Sequence, residues 1–295
     1  MRVAVASGKG GTGKTTVATS LARALAGSSR VGGNGCGTLL LDCDVEAPDA
    51  HVFLRPSLPV HRTVTVPTPS VDTSLCDACG ECAEVCRFQA LTVLPSGVVT
   101  FPALCHGCGN CARACPREAI TEVPRRIGVI ESGQAPGGIR FARGLLDVGE
   151  PMAVPVIREL LREMDGCGAE VPVVLDAPPG TSCPAMATLR GADYALLVTE
   201  PTPFGLHDLR LMVEAVQEMG MPAGVVLNRS GIGDGEVERF CQQAGIPVLL
   251  RIPYRREIAE GLARGTLLTG ILPELTEGMR TLWERMQREQ AAYAH

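Results

Sequence analysis

The sequence predicts an α/β protein: a mostly parallel sheet with helices on both faces, interrupted by a small cysteine-rich module of α+β character. Three observations predict it. The chain opens on a short apolar strand, a glycine-rich loop and a helix. Through its second half, apolar strands alternate with amphipathic helices, the pattern of a sheet covered on both faces. Between these parts lie two near-copies, CDACGECAEVC (76–86) and CHGCGNCARAC (105–115), which hold eight of the 13 cysteines.

The elements follow in order. RVAVA (2–6) is the first strand, SGKGGTGKTT the loop, and 14–26 the first helix. GSSRVGGNGCG (27–37) reads as a loose connection before the strand TLLLD, which ends at Asp42. Residues 56–69 carry four prolines and read as a connection with one strand over 62–66. The cysteine module fills 70–123, and RIGVIES (126–132) resumes strand character. Next come a helix over 151–165, the buried strand VPVVLD ending at Asp176, and a helix near 183–190. Strands over 194–200, 223–228 and 247–252 then alternate with helices over 205–219, 234–244 and from Arg255, and a last helix runs over 273–291. Residues 1–69 and 124–295 thus form one discontinuous domain, and 70–123 an insertion. In such a sheet, ligands gather at the carboxyl ends of the strands.

Composition narrows the function. The chain is 45% hydrophobic and 20% charged, the balance of a globular protein, and its net charge of -5 gives no reason to expect nucleic-acid binding. No apolar run approaches the roughly 20 residues of a membrane span, so a cytoplasmic protein without membrane insertion is expected. In that compartment thirteen cysteines point to metal or cluster chemistry rather than disulfides. The cations are uneven: of 27 Lys and Arg residues, only Lys9 and Lys14 are lysine, and both fall inside the opening loop. A compact ammonium fits between phosphate oxygens where a planar guanidinium does not.

Gly8-x-x-x-x-Gly13-Lys14-Thr15 is a complete Walker A motif, placed between a strand and a helix as its mechanism requires. Backbone N–H groups from Gly8, Gly10, Gly11, Thr12, Gly13, Lys14, Thr15 and Thr16 can converge on phosphates, helped by the helix N-terminus. Lys14 is expected to reach the β- and γ-phosphates and Thr15 to ligand Mg²⁺. Asp176 ends an apolar strand, the Walker B arrangement, and is a further candidate for holding Mg²⁺.

The extra lysine in KGGTGKTT resembles the deviant Walker A loop of the MinD/ParA/Mrp family of P-loop ATPases. The resemblance implies Mg²⁺-dependent ATP hydrolysis by a homodimer, or a heterodimer with a related chain, bridged by ATP. It gives Lys9 a role across the dimer on the partner's nucleotide. It gives Asp44 the orienting of the attacking water, and Asp42 a place near Lys14 and Mg²⁺. It makes Gly180, in APPGTS, a backbone sensor of the γ-phosphate. It puts Asn228 on adenine, with the loop at Pro253 and Tyr254 covering the base.

The spacing C-x₂-C-x₂-C-x₃-C occurs twice, and it is the bacterial ferredoxin run, whose fourth cysteine serves the other cluster. Cys76, Cys79, Cys82 and Cys115 are therefore assigned to one [4Fe–4S] cluster, and Cys105, Cys108, Cys111 and Cys86 to a second. Zinc also accepts four thiolates but fits two interleaved runs poorly. Arg87 stands where a proline often follows the fourth cysteine. The chain as a whole resembles members of the superfamily with an inserted two-cluster ferredoxin domain. That implies a nucleotide-driven dimer switch coupled to electron transfer or redox sensing, with an unnamed redox or cluster-accepting protein as partner. The alternative is a cluster-assembly or partner-positioning switch whose clusters are structural or docking elements. Cys183, seven residues after Asp176, is a small core residue or a ligand of a third, dimer-bridging cluster. The last helix reads as an amphipathic helix packed on the domain.

Overall fold

The computed structural model describes residues 1–26 and 37–293, so most of the 27–37 connection lies outside the described residues. The chain divides into two compact units. Unit 1 comprises Met1–His61, Ile130–Leu145 and Ile157–His295; unit 2 comprises Arg62–Val129 and Leu146–Val156.

Unit 1 begins with β1 (Arg2–Ala6), α1 (Lys14–Ala26), β2 (Thr38–Asp42) and α2 (Ala50–Leu54). β3 (Ser57–Val71) then carries the chain into unit 2, which holds α3 (Glu81–Glu84), the antiparallel hairpin β4 (Leu91–Leu94) and β5 (Gly97–Thr100), and α4 (Asn110–Ala114). β6 (Ile120–Ala135) brings it back. There follow β7 (Ile139–Leu146), α5 (Ala153–Leu161), β8 (Val173–Asp176), α6 (Cys183–Leu189), β9 (Tyr194–Thr199), α7 (Pro203–Glu218), β10 (Ala223–Ser230) and α8 (Glu236–Gln243). The chain ends with β11 (Val248–Pro253), α9 (Arg256–Ala263), α10 (Leu268–Ile271) and α11 (Glu274–Tyr293).

The strand order is β11-β10-β9-β1-β8-β2-β7-β6-β3, and every pairing from β11 to β7 is parallel. The central strands are buried on both faces, which is why VAVA, LLLD, VVLD and ALLVT read as unbroken apolar runs. Side chains still alternate. Val3, Val5, Leu40, Val174 and Leu196 enter one core with α1 and α11, while their neighbours face the other way. Within α11, Leu275, Met279, Leu282, Trp283 and Met286 recur at helical spacing and supply the buried stripe. Among the described residues no helix is long and apolar enough to cross a membrane.

Two segments differ from the sequence expectation. Residues 56–69 are not a connection: Ser57–Val71 is one continuous strand. It is last in the sheet order and largely exposed, and an edge strand tolerates prolines because its outer N–H groups need no partner. GGIRFARGLL, to which no element was assigned, contains β7, paired in register with β2. Its arginines masked the strand pattern, and both are satisfied locally. Arg143 pairs with Glu131 at 2.7 Å, and Arg140 donates to the Glu163 carbonyl.

Unit 2 is built on a repeat of 29 residues. Left-handed backbone at Ala78, Gly80 and Gln89 recurs at Gly107, Gly109 and Glu118. The Ala90 N–H donates to Cys86 Sγ at 3.2 Å, and the Ala119 N–H to Cys115 Sγ at 3.3 Å. Cys82, Ala90, Leu91, Cys105, Cys111 and Ile120 form its small core.

Candidate functional site

The candidate nucleotide cleft lies at the carboxyl ends of β1, β8, β2 and β10. The loop after β1 is braced from outside. Asn228, from β10, donates through Nδ2 to the Thr12 carbonyl at 2.8 Å. Gly13 has φ 95, and a Cβ there would sit 2.6 Å from that same Nδ2, so only glycine closes the loop. At Gly8 a Cβ would run into the Asp208 backbone of α7. Lys14 is buried at the start of α1, and Thr12 Oγ1 is buried without a partner.

Lys9 lies 3.9 Å through Nζ from Glu200 Oε2, and the other carboxylate oxygen of Glu200 takes Arg229 at 2.9 Å. Glu200 is buried at the end of β9, so Lys9 and Arg229 share one anion. Sequence reasoning did not single out Glu200 or Arg229; the signal was a carboxylate directly after an apolar strand.

Asp42 and Asp176 end adjacent parallel strands and are paired in register. Asp42 accepts N–H bonds from Ala50 at 3.0 Å and Asp44 at 3.3 Å, yet burial pushes its carboxyl up to about 7. Burial first, then the Asp42 charge, raises Asp176, against the lowering effect of the Thr15 hydroxyl and Lys14. Neither Asp176 oxygen has a well-formed hydrogen bond. Two adjoining buried carboxylates, the Asp176 one with both oxygens unpartnered, fit a divalent cation, which would remove both penalties. Asp49 joins them: ligand oxygens of Asp42, Asp49 and Asp176 lie within 4.8 Å of one another. Asp49 was missed by sequence. It caps α2 in position but makes no side-chain cap bond, which leaves its carboxylate for the pair. Asp44 is half-buried, and its carboxyl is raised by burial against the opposing Lys14 charge.

Gly180 has φ 82, and its N–H donates to the Ser7 carbonyl at 2.9 Å. A separate cavity of about 170 Å³ is lined by Gly11, Gly13, Asn228, Pro253 and Tyr254, with Ile258 beneath. Asn228 therefore both braces the loop and faces this space.

In unit 2 the eight cysteines line two cavities. Cys76, Cys79, Cys82 and Cys115 line one; Cys86, Cys105, Cys108 and Cys111 line the other. Burial raises the Cys82 thiol, and Cys76, Cys79 and Cys115 raise it further; Cys111 is raised likewise by burial, then by Cys105 and Cys108. None of the eight is paired in a disulfide. Four thiols around one cavity, with N–H groups on the sulfurs, is a donor set that fits a thiolate-ligated cluster. Cys183 is exposed at the start of α6.

Residues 3–268 match the family model "CobQ/CobB/MinD/ParA nucleotide binding domain". The chain belongs to this family. It is 29% identical over 287 residues to an uncharacterized protein of Methanocaldococcus jannaschii, covering 97% of this chain and 96% of that one. It is 25% identical over 288 residues to a Synechocystis protein named iron-sulfur cluster carrier protein, covering 92% of this chain and 65% of the carrier. Among solved structures it is similar to the septum site-determining protein MinD of Pyrococcus horikoshii complexed with Mg-ADP. The TM-score is 0.56 and the identity 19%, covering 96% of this chain and 94% of that one. At that identity the likeness concerns the fold, which is the mostly parallel α/β architecture of MinD and ParA proteins.

Proposed function

We propose that this family member is a Mg²⁺-dependent ATPase, working as an ATP-bridged dimer, whose residues 70–123 form an inserted ferredoxin-like domain. The function is to couple nucleotide state to electron transfer or redox sensing. The observation that carries the reading is the four-and-four division of the ferredoxin-run cysteines in a chain that also carries a deviant Walker A loop. Cys76, Cys79, Cys82 and Cys115 would hold one [4Fe–4S] cluster, and Cys105, Cys108, Cys111 and Cys86 the other. When bound, such clusters supply one-electron chemistry.

The chain's own residues divide the ATPase work. The loop from Gly8 to Thr16 binds the phosphates, with Lys14 against the β- and γ-phosphates. Thr15, Asp42 and Asp176 would hold Mg²⁺, with Asp49 close enough to contribute a further oxygen. Asp44 orients the attacking water. Asn228, Pro253 and Tyr254 enclose the base. Lys9 exchanges Glu200 for the phosphates of a second protomer, so dimer formation breaks an existing ion pair. Gly180 exchanges the Ser7 carbonyl for the γ-phosphate, which makes its peptide a two-position switch.

The test is an anaerobic EPR redox titration of reconstituted protein with and without MgATP. A nucleotide-linked shift of tens of millivolts is expected; for one electron about 59 mV is a tenfold change in equilibrium constant. Linkage then requires redox state to alter nucleotide affinity in return. Clusters whose potential ignores MgATP would sink equilibrium coupling. A second reading, cluster assembly or partner positioning, is favoured by the Synechocystis carrier relative. Transfer of a cluster to an apo-protein acceptor would select it.

A further inference from the structure

The largest cavity among those described lies in unit 1 and measures about 670 Å³. It shares no lining residue with the nucleotide cleft. Three guanidiniums line it from three different elements: Arg23 on α1, Arg55 at the end of α2 and Arg280 on α11. Three threonines, Thr266, Thr269 and Thr276, line it as well, and no carboxylate does. In a chain of net charge -5 this is a concentrated positive site.

Arg23 and Arg55 are exposed and Arg280 is half-buried, and each lies against a neighbour at the cavity. The Arg23 guanidinium lies against Gly137, where any Cβ would displace it. Arg55 follows α2 in left-handed backbone at φ 48, its backbone N–H donating to the His51 carbonyl, and its Nη2 lies 3.7 Å from where a Cβ on Gly265 would sit. Arg280 donates through Nε to the Ala24 carbonyl at 3.2 Å. Among the described residues Arg23 and Arg55 have no ion pair. The only acid on Arg280 is Glu277, 3.5 Å away and 77% exposed, a pair that contributes little. The carbonyl end of α1 accounts for a cation at Arg23. It does not account for three.

We propose that this cavity is a second, anion-binding site that takes a small phosphorylated ligand. Its volume is that of a small-molecule site. Guanidiniums recognise phosphate oxygens two at a time, and the threonine hydroxyls donate to those that remain. The site is independent of the P-loop and of the cysteine unit, so its test leaves the proposed ATPase untouched.

Inorganic tripolyphosphate is the probe, titrated calorimetrically into the full-length chain and into Lys14→Ala, Arg55→Gln, Arg23→Gln and Arg256→Gln variants, each checked for an unchanged melting profile. Binding that survives Lys14→Ala, weakens about tenfold in Arg55→Gln and Arg23→Gln, and is unchanged in Arg256→Gln is expected. Arg256 is exposed and lies outside the cavity, so it controls for diffuse charge. Binding abolished by Lys14→Ala alone would place every anion on the P-loop and overturn the proposal. So would equal loss in Arg256→Gln, or indifference to both cavity variants. Citrate, a carboxylate probe of similar charge, is expected to bind more weakly; tighter binding of citrate would overturn the phosphate assignment.

Discussion

Asp42 and Asp176 stand opposite each other in register at the ends of β2 and β8, both buried, with both Asp176 oxygens idle. Two carboxylates held this close cannot both ionise cheaply without a cation between them. The arrangement therefore carries a penalty that a bound cation would relieve.

That penalty sets a pH dependence. The Asp42 carboxyl is raised to about 7, above its ordinary value in the unfolded chain. The folded state thus binds the extra proton, and its contribution to stability is complete at low pH and lost as pH rises through about 7. Metal-free protein is expected to lose stability progressively between about pH 4 and pH 7 and to level off above that, by on the order of 4 kcal/mol at most. Asp42→Asn should flatten that slope and abolish stabilisation by Mg²⁺. Chemical unfolding at fixed pH, with and without Mg²⁺, reads both; equal slopes in the two proteins would clear Asp42 as the source.

Gly180→Ala is expected to separate binding from hydrolysis. At φ 82 an alanine costs about 1–2 kcal/mol. The strain falls on the peptide whose N–H bonds the Ser7 carbonyl and is proposed to leave it for the γ-phosphate. Nucleotide affinity should change by no more than about threefold while the hydrolysis rate falls about tenfold. A parallel loss of both, measured by equilibrium binding and steady-state turnover, would remove the switch.

The two lysines should fail differently. Lys14→Ala should weaken nucleotide binding by at least tenfold, or about 1.4 kcal/mol, because the buried ammonium proposed to meet the phosphates is lost. Lys9→Ala should spare binding by the monomer and lose ATP-dependent dimerisation. Glu200→Gln, which releases Lys9 from its 3.9 Å ion pair, should shift dimerisation the opposite way. Sedimentation with a non-hydrolysable ATP analogue tests all three, and a Glu200→Gln chain that dimerises less than wild type contradicts the exchange.

Cysteine variants should fall into two groups that ignore sequence order. Cys115→Ala is expected to cost about half the iron and the same EPR signal as Cys76→Ala, because those residues line one cavity. Cys86→Ala should match Cys105→Ala instead. If Cys86→Ala matched Cys76→Ala, each run would serve its own cluster and the crossed assignment would be falsified.

How much was legible in the sequence depended on how local the cause was. The phosphate loop, the apolar central strands and the paired cysteine runs are each set by residues within about a dozen positions, so spacing and period alone exposed them. β7 was not legible, because Arg140 and Arg143 broke its apolar pattern and are satisfied by Glu163 and Glu131, neither of them on that strand. β3 was hidden by its prolines, whose tolerance follows from its place at the sheet edge, a property of strand order and not of the segment.

The sequence by itself determined a MinD/ParA-type α/β protein with a phosphate loop and a two-run cysteine module, because glycine placement, strand hydrophobicity and thiol spacing act over short stretches of chain. Tertiary structure alone decided what converges. It brought Asp49 to the Asp42–Asp176 pair, set Glu200 between Lys9 and Arg229, braced the loop with Asn228, and gathered Arg23, Arg55 and Arg280 around one cavity. Charges act through space. Their partners are chosen by which strand ends and helix faces the sheet order makes neighbours, and no window of sequence contains that information.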